Sequence, residues 1–421
     1  MPIINNVIGK FDPTLLVNGI YDIRLSAADF KGNTASKTVT CLISGDLKVG
    51  INTITFTDLQ VPVCGIPITI NRRYDSRVKT KKDFGVGWSL DILDVDLREN
   101  RKMGDGWSVV NTGGVWPNWE LRPSKVHIVV VTYPDGKTDV FDMVAYLDDP
   151  SRPTGLAYAT FESRSGTTST LEPLGGVTLM YQGGVILDLS TGNPYDPNRY
   201  LLTTKDGREL VINQSTGLES IEDPNGNTLF IDSSGIVHSS GKSISFNRDA
   251  EVRITQITDP MGNALTYTYD ANGDLVSFAD QENNTTAYDY DGKHNLTEYT
   301  DPRGVTSLRC EYDADGRLIA TRDANGNRIA LTHDLEHYTS VVRDRLGNST
   351  IYEYNERGDV VRMVDALGNT TTYTYDQRGN QLTETDPLGN TTTFTYDAQD
   401  NLLTQKDSLS TYFPHPTIGR K

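Results

Sequence analysis

Between residues 259 and 407 the chain repeats itself about every 21 residues, a unit long enough for one β-hairpin and too short for a domain. An Asp-x-x-Gly-Asn-like element begins at Asp259, Asp280, Asp301, Asp323, Asp344, Asp365 and Asp386. Ten or eleven residues after each, a Tyr-Asp-x-x-Gly-like element begins at Tyr269, Tyr290, Tyr312, Tyr354, Tyr375 and Tyr396, and His333 takes the Tyr place in the fourth unit. An earlier "DPNGN" starts at Asp223.

Each element explains itself locally. In Asp-Pro-x-Gly the Asp side chain bonds amides two residues on, Pro presets φ, and Gly takes the conformation that other residues resist. Between turns, stretches such as "TTTYTYD" alternate, which places Tyr373 with Tyr375 and Phe394 with Tyr396 on one face. A returning strand follows, marked by Leu275, Leu296, Leu318, Val360, Leu382 and Leu402. One such hairpin cannot bury its aromatic face alone, so units must stack. The spacing predicts one continuous antiparallel sheet over 200–407, with the two turn classes on opposite edges. It also predicts that Tyr269, Tyr290, Tyr354, Tyr375 and Tyr396 pack ring on ring from unit to unit.

Composition agrees with an all-β chain: 37 Gly and 21 Tyr among 421 residues, and no sustained helical periodicity. A net charge of −17 argues against nucleic acid as a partner and against an anionic membrane surface. No apolar run approaches the roughly 18 residues of a membrane span, and the N-terminus lacks the pattern of a signal peptide, so neither membrane insertion nor an export signal is expected. Cys41, Cys64 and Cys310 are odd in number and far apart, which suits buried thiols and no disulfide framework.

Seven Tyr-Asp units at this spacing resemble the YD repeats of the Rhs family, which also occur in Tc insecticidal toxins and teneurins. The resemblance extends upstream. In "VPVCGIPITINRRYDS" an extended strand ends in Arg-x-Tyr-x-Ser, with Arg73, Tyr74 and Ser76 singled out there. "FGVGWSLD" follows with Gly85, Gly87 and Trp88, as in the segment that opens the repeat region of Rhs-type proteins. The family implies a shell: a continuous hairpin-repeat sheet wound as an open spiral strip, preceded by a small β module. Six regions are expected: 1–46, the last hairpin of an immunoglobulin-like sandwich cut from a longer chain; 47–110, the opening module; 111–200, an irregular β region; 201–258, degenerate hairpins; 259–407, the seven repeats; and 408–421, a tail.

The search for chemistry returns turn and core residues. His333 and His337, with Asp334 and Glu336, have a metal-like spacing on a helix but fall at a strand end and turn. "YDANGDL" at Asp270, Asn272 and Asp274, and "DANGN" at Asp323, Asn325 and Asn327, begin like calcium loops without the later Glu. Ser89 in "GVGWS" has no assignable His and Asp partners. "GDGW" at Trp107 and the Trp116, Trp119 pair suit either a sugar-stacking platform or core packing. "DPLGN" at Asp386 resembles a self-cleavage motif of Rhs-type proteins, yet Asn390 stands where that motif has Leu and the element lies in repeat register. No enzyme, cofactor or metal is therefore expected. The expected function is a shell that encapsulates or displays a C-terminal effector, extracellular or at a cell surface by resemblance. Its partner would be the rest of its own longer polypeptide or an effector domain. The alternative is an adhesin-like module that binds carbohydrate or a cell-surface protein.

Overall fold

The structure, a computed structural model, describes residues 11–45, 47–397, 400–407 and 413–414. Most of the expected tail therefore lies outside the described residues. An antiparallel hairpin, Gly19–Ala28 with Thr34–Ile43, stands at the N-terminal end. It meets the body only at its base, where Ile20 packs with Ile128, Val130 and Val140.

The opening segment forms a three-stranded sheet: Thr53–Val61 pairs with Ile68–Asp75, which pairs with Trp88–Leu90. Apart from two two-stranded ribbons, Trp107–Asn111 with Trp119–Pro123 and Lys81–Lys82 with Gly85–Val86, the remaining sheet is one strip. It starts at Asp96–Glu99, takes in Ile128–Thr132, and proceeds antiparallel to Leu402–Lys406 and Phe413–Pro414. From Arg199–Thr203 onward every strand pairs with the next in sequence, as alternating short turns require. Before that point the strip branches. Gly155–Ser163 pairs with both Thr170–Pro173 and Leu179–Gln182, and the first of these pairs onward with Arg199–Thr203. Among the described residues no pairing joins Asp96–Glu99 to the last strands, so the strip is open.

Both turn classes use one hydrogen-bond pattern, and it accounts for the fifth residue of the motif. At Asp365 the backbone closes through Asp365 N to Asn369 O at 3.0 Å and Gly368 N to Asp365 O at 3.0 Å. Asp365 Oδ1 accepts from Leu367 N and Asn369 N, both at 2.9 Å, and Asn369 Nδ2 donates to Oδ2 at 2.9 Å. The Tyr-Asp turn at Asp376 repeats this with Arg378 and Asn380. Gly368 sits at φ 84°, where a side chain is strained.

At the repeat tyrosine itself the ladder slips by one residue, between Thr268 and Tyr269 and again at Tyr290, Tyr312, Tyr354, Tyr375 and Tyr396. A bulge bends its strand and increases local twist. Recurring at the same place in six of the seven units, these bulges bend the strip repeatedly. The fourth unit, with His333, pairs Arg328–Asp334 against Thr339–Arg343 without a slip.

Candidate functional site

The tyrosine face of the strip is where the opening segment lies, and their junction encloses a buried ion pair among aromatic rings. Alternation in each strand puts Tyr267, Tyr269, Tyr288 and Tyr290 on this face. The opposite strand contributes Phe278 across from Tyr267 and Tyr299 across from Tyr288. Phe56, Phe84 and Trp88 of the opening segment cover them, with Phe84 4.6 Å from Tyr267 and Trp88 5.3 Å from Tyr288 between ring centroids.

In the middle of this cover Arg72 is fully buried. Its Nε donates to Asp58 Oδ2 at 2.8 Å and its Nη2 to Asp58 Oδ1 at 3.1 Å. Tyr267 Oη donates to Asp58 Oδ2 at 3.0 Å. Five rings surround the guanidinium: Phe278 at 4.8 Å, Trp88 at 4.9 Å, Phe56 and Tyr288 at 5.2 Å, and Tyr267 at 5.8 Å. Burial alone works against the charge, but the Asp58 carboxylate outweighs it and holds Arg72 charged beyond the ordinary arginine range. With such desolvation each face contact is a strong cation–π interaction, on the order of 2 kcal/mol for the best of them.

Around this centre the opening segment touches successive repeat units in turn. Asp83 O accepts from Ile254 N at 2.7 Å, Val86 N donates to Gly273 O at 3.1 Å, and Gly50 O accepts from Leu318 N at 2.7 Å. Tyr74 Oη donates to His294 O at 3.1 Å and accepts from Leu296 N at 2.9 Å. Leu47 N reaches Arg357 O at 3.1 Å. Trp88 Nε1 donates to Tyr290 Oη at 2.7 Å, and Asn52 Nδ2 to Tyr312 Oη at 2.7 Å. Ser76 fixes the start of this run, its Oγ accepting from Asn52 N at 2.9 Å. Gly85 is required by approach as well as by φ, since a Cβ there would lie 2.5 Å from Gly273 O. Gly87 backs onto Tyr74 in the same way.

The repeat tyrosines are tied between units differently from the expected ring stacking. No ring pair joins Tyr269, Tyr290, Tyr354, Tyr375 and Tyr396 among the described residues. Five repeat hydroxyls instead reach back to a carbonyl of the preceding unit, while that of Tyr354 meets the Ser340 side chain: Tyr290 to Leu275 O at 2.9 Å, Tyr312 to Leu296 O at 2.9 Å, Tyr375 to Val360 O at 2.9 Å and Tyr396 to Gln381 O at 3.0 Å. Tyr269 does the same with Ile254 O. His333 keeps the link with a different group, its Nε2 lying 3.2 Å from Leu318 O. Equivalent tyrosines of successive units stand two strands apart, about 9.5 Å, too far for ring contact, whereas a tilted phenol reaches the adjacent strand.

The repeat aspartates Asp259, Asp280, Asp301, Asp323, Asp344, Asp365 and Asp386 all sit at turns as acceptors. His337 is engaged with Asp334 at 2.8 Å. Trp107 is buried and stacked on His127, 4.9 Å between centroids. Trp119 is half-buried, which leaves Trp116, 83% exposed, as the single open ring of the expected sugar platform. Arg73, singled out from the sequence, is half-buried at the rim; the buried arginine is its neighbour Arg72. The presence of two adjacent arginines on an alternating strand was the available signal, because one of them had to face inward.

A search of curated proteins finds no significant match. Three solved structures that the chain resembles are Tc toxin assemblies. The TcdB2-TccC3 crystal structure is 14% identical with a TM-score of 0.32, over 67% of this chain and 17% of that one. A Tc holotoxin pore of Photorhabdus luminescens is 12% identical with a TM-score of 0.33, over 91% and 25%. TcdB2-TccC3-Cdc42 is 14% identical with a TM-score of 0.32, over 72% and 21%. The chain thus spans a quarter or less of the length of these chains. Residues 213–411 match the family model described as teneurin YD-shell. With that match on the same residues that carry the hairpin period and the tyrosine links, residues 213–411 are a YD-repeat region of the Rhs-like kind.

Proposed function

We propose that this chain is a wall segment of a β-shell that encapsulates or displays an effector polypeptide, outside the cell and without catalysis of its own. The observation that supports it most is the asymmetry of the strip. Its outer face carries locked polar pairs, such as Glu311 with Arg322 and Arg328, both at 2.9 Å, and Thr374 with Thr383 at 2.6 Å. Its inner face is aromatic over much of its length, and bulges at six of the seven repeat units bend the strip. Over the first repeats that face is sealed by the opening segment; beyond Leu318 it continues half-buried, as the inner wall of a container does. Electron microscopy of the full-length gene product tests this reading. A hollow particle with density inside is the expected result, and a solid or extended array would overturn it.

A second reading, an extracellular module that binds carbohydrate or a protein partner, draws support from the hairpin Trp107–Asn111 with Trp119–Pro123. Its tip holds Val115 and Trp116 at 94% and 83% exposure, ordered by Asn111 Oδ1, which accepts from Gly113 N and Asn118 N. An order of tenfold loss of partner binding on Trp116→Ala would favour it.

A further inference from the structure

The two tyrosines of the floor beneath Arg72 recur in the uncovered part of the strip. In the sealed part Tyr267, Phe278 and Tyr288 lie against the guanidinium, and Tyr299, directly opposed to Tyr288, packs on Phe56 beside them. Adding 85 to each number, four repeat units, gives Tyr352 with Met363 and Tyr373 with Glu384, which are also directly opposed. The units between do not reproduce it: the corresponding pairs are Cys310 with Thr321 and Leu331 with Val342, which offer no π face. In the sealed copy Tyr267 and Tyr288 are each 2% exposed; Tyr352, Met363, Tyr373 and Glu384 are only half-buried. Among the described residues no cation lies over the Tyr352 or Tyr373 rings, and no ion pair forms on Glu384.

We propose that Tyr352, Met363, Tyr373 and Glu384 form a second guanidinium site, which takes an arginine side chain of the polypeptide that the shell encloses. This deepens the shell reading and rests on it. The face is the direct continuation of the one that already holds Arg72. Two phenol rings offer their negative faces to a cation, and the Met363 thioether is a polarizable neighbour. The carboxylate, supplied to Arg72 by Asp58 of the opening segment, is here supplied by the wall itself, since Glu384 stands at the place of Tyr299. A guanidinium is favoured over an ammonium because it is more weakly hydrated, stacks on rings and meets a carboxylate with two parallel donors.

The probe is the acetylated, amidated octapeptide of residues 68–75, the strand that presents Arg72, beside a version with citrulline at both arginines, which keeps shape and removes charge. The readout is the methyl signal of Met363 in the full chain labelled at methionine methyls, assigned through Met363→Leu and followed at physiological salt. Saturable movement of the Met363 signal with the arginine peptide is expected, weakened about tenfold or more by citrulline or by Glu384→Gln. Met261, exposed at a distant turn tip, should not move. Glu384→Gln keeps the size and hydrogen bonding of a half-buried side chain, so the variant folds; Tyr373→Leu gives a second, independent loss. An unmoved Met363 signal, or equal movement by both peptides, overturns the proposal. A null titration with a hollow particle in the microscope removes the arginine site alone, whereas a moving Met363 with no hollow removes the shell and keeps the site.

Discussion

At the scale of the residue, the tyrosine hydroxyl does the work that ring stacking was expected to do. Tyr375→Phe keeps the ring and leaves Val360 O without its partner, a loss of about 0.5–1.5 kcal/mol. Urea midpoints check this; a Tyr375→Phe variant as stable as the parent would mean that the 2.9 Å bond to Val360 O contributes nothing. A second residue has a pH signature. Glu99 is pushed up to about 8 by burial, with Asp196 beside it adding to the rise while the bonds from Tyr200 and Gln214 work the other way. Its carboxyl is thus still protonated in the folded chain at pH values where the unfolded chain, near its ordinary 4.5, has lost the proton. This contribution to stability is complete below the ordinary value and is lost as pH rises toward about 8. Glu99→Gln should flatten stability against pH in that window; an unchanged slope would place the effect elsewhere.

At the scale of the element, the turn is the unit of information, and its fourth residue is where sequence and backbone disagree most plainly. Gly368 has φ 84°, and Val252 holds the equivalent place in the turn at Asp249 with φ 66°. A β-branched residue in the left-handed region is strained, so Val252→Gly should stabilise the chain and Gly368→Ala should destabilise it, each by about 1 kcal/mol. Thermal midpoints that move in the same direction for both would contradict the shared turn geometry. This part of the fold was legible because an Asp-x-x-Gly-Asn turn is decided by five adjacent residues. The bulge at each repeat tyrosine was not, since nothing in "YD" itself distinguishes a slipped ladder from a regular one.

At the scale of the whole molecule, the strip is unevenly covered, and its stability should be graded accordingly. Ile254, Ile257, Tyr267, Leu275, Tyr288 and Leu296 are between 0 and 2% exposed beneath the opening segment, whereas strands Gln381–Thr385 and Thr391–Tyr396 contain no buried residue. Local opening follows such differences in packed apolar contact. Hydrogen exchange should therefore be slowest over 254–300 and speed up unit by unit toward 406. Uniform protection across all units would show that the opening segment adds nothing to the sheet it covers.

The sequence by itself determined the hairpin, its period, the turn chemistry and which face of each strand is aromatic, because all of these are settled within about 21 residues by propensity, alternation and side chains that bond their own backbone. The tertiary structure alone decided what lies on that face. Tyr74 meets His294 across 220 positions, Trp88 meets Tyr290 across 202 and Asp58 meets Tyr267 across 209. No local pattern encodes such distances; only the packing of the opening segment onto the strip brings a buried arginine to five rings and its one carboxylate.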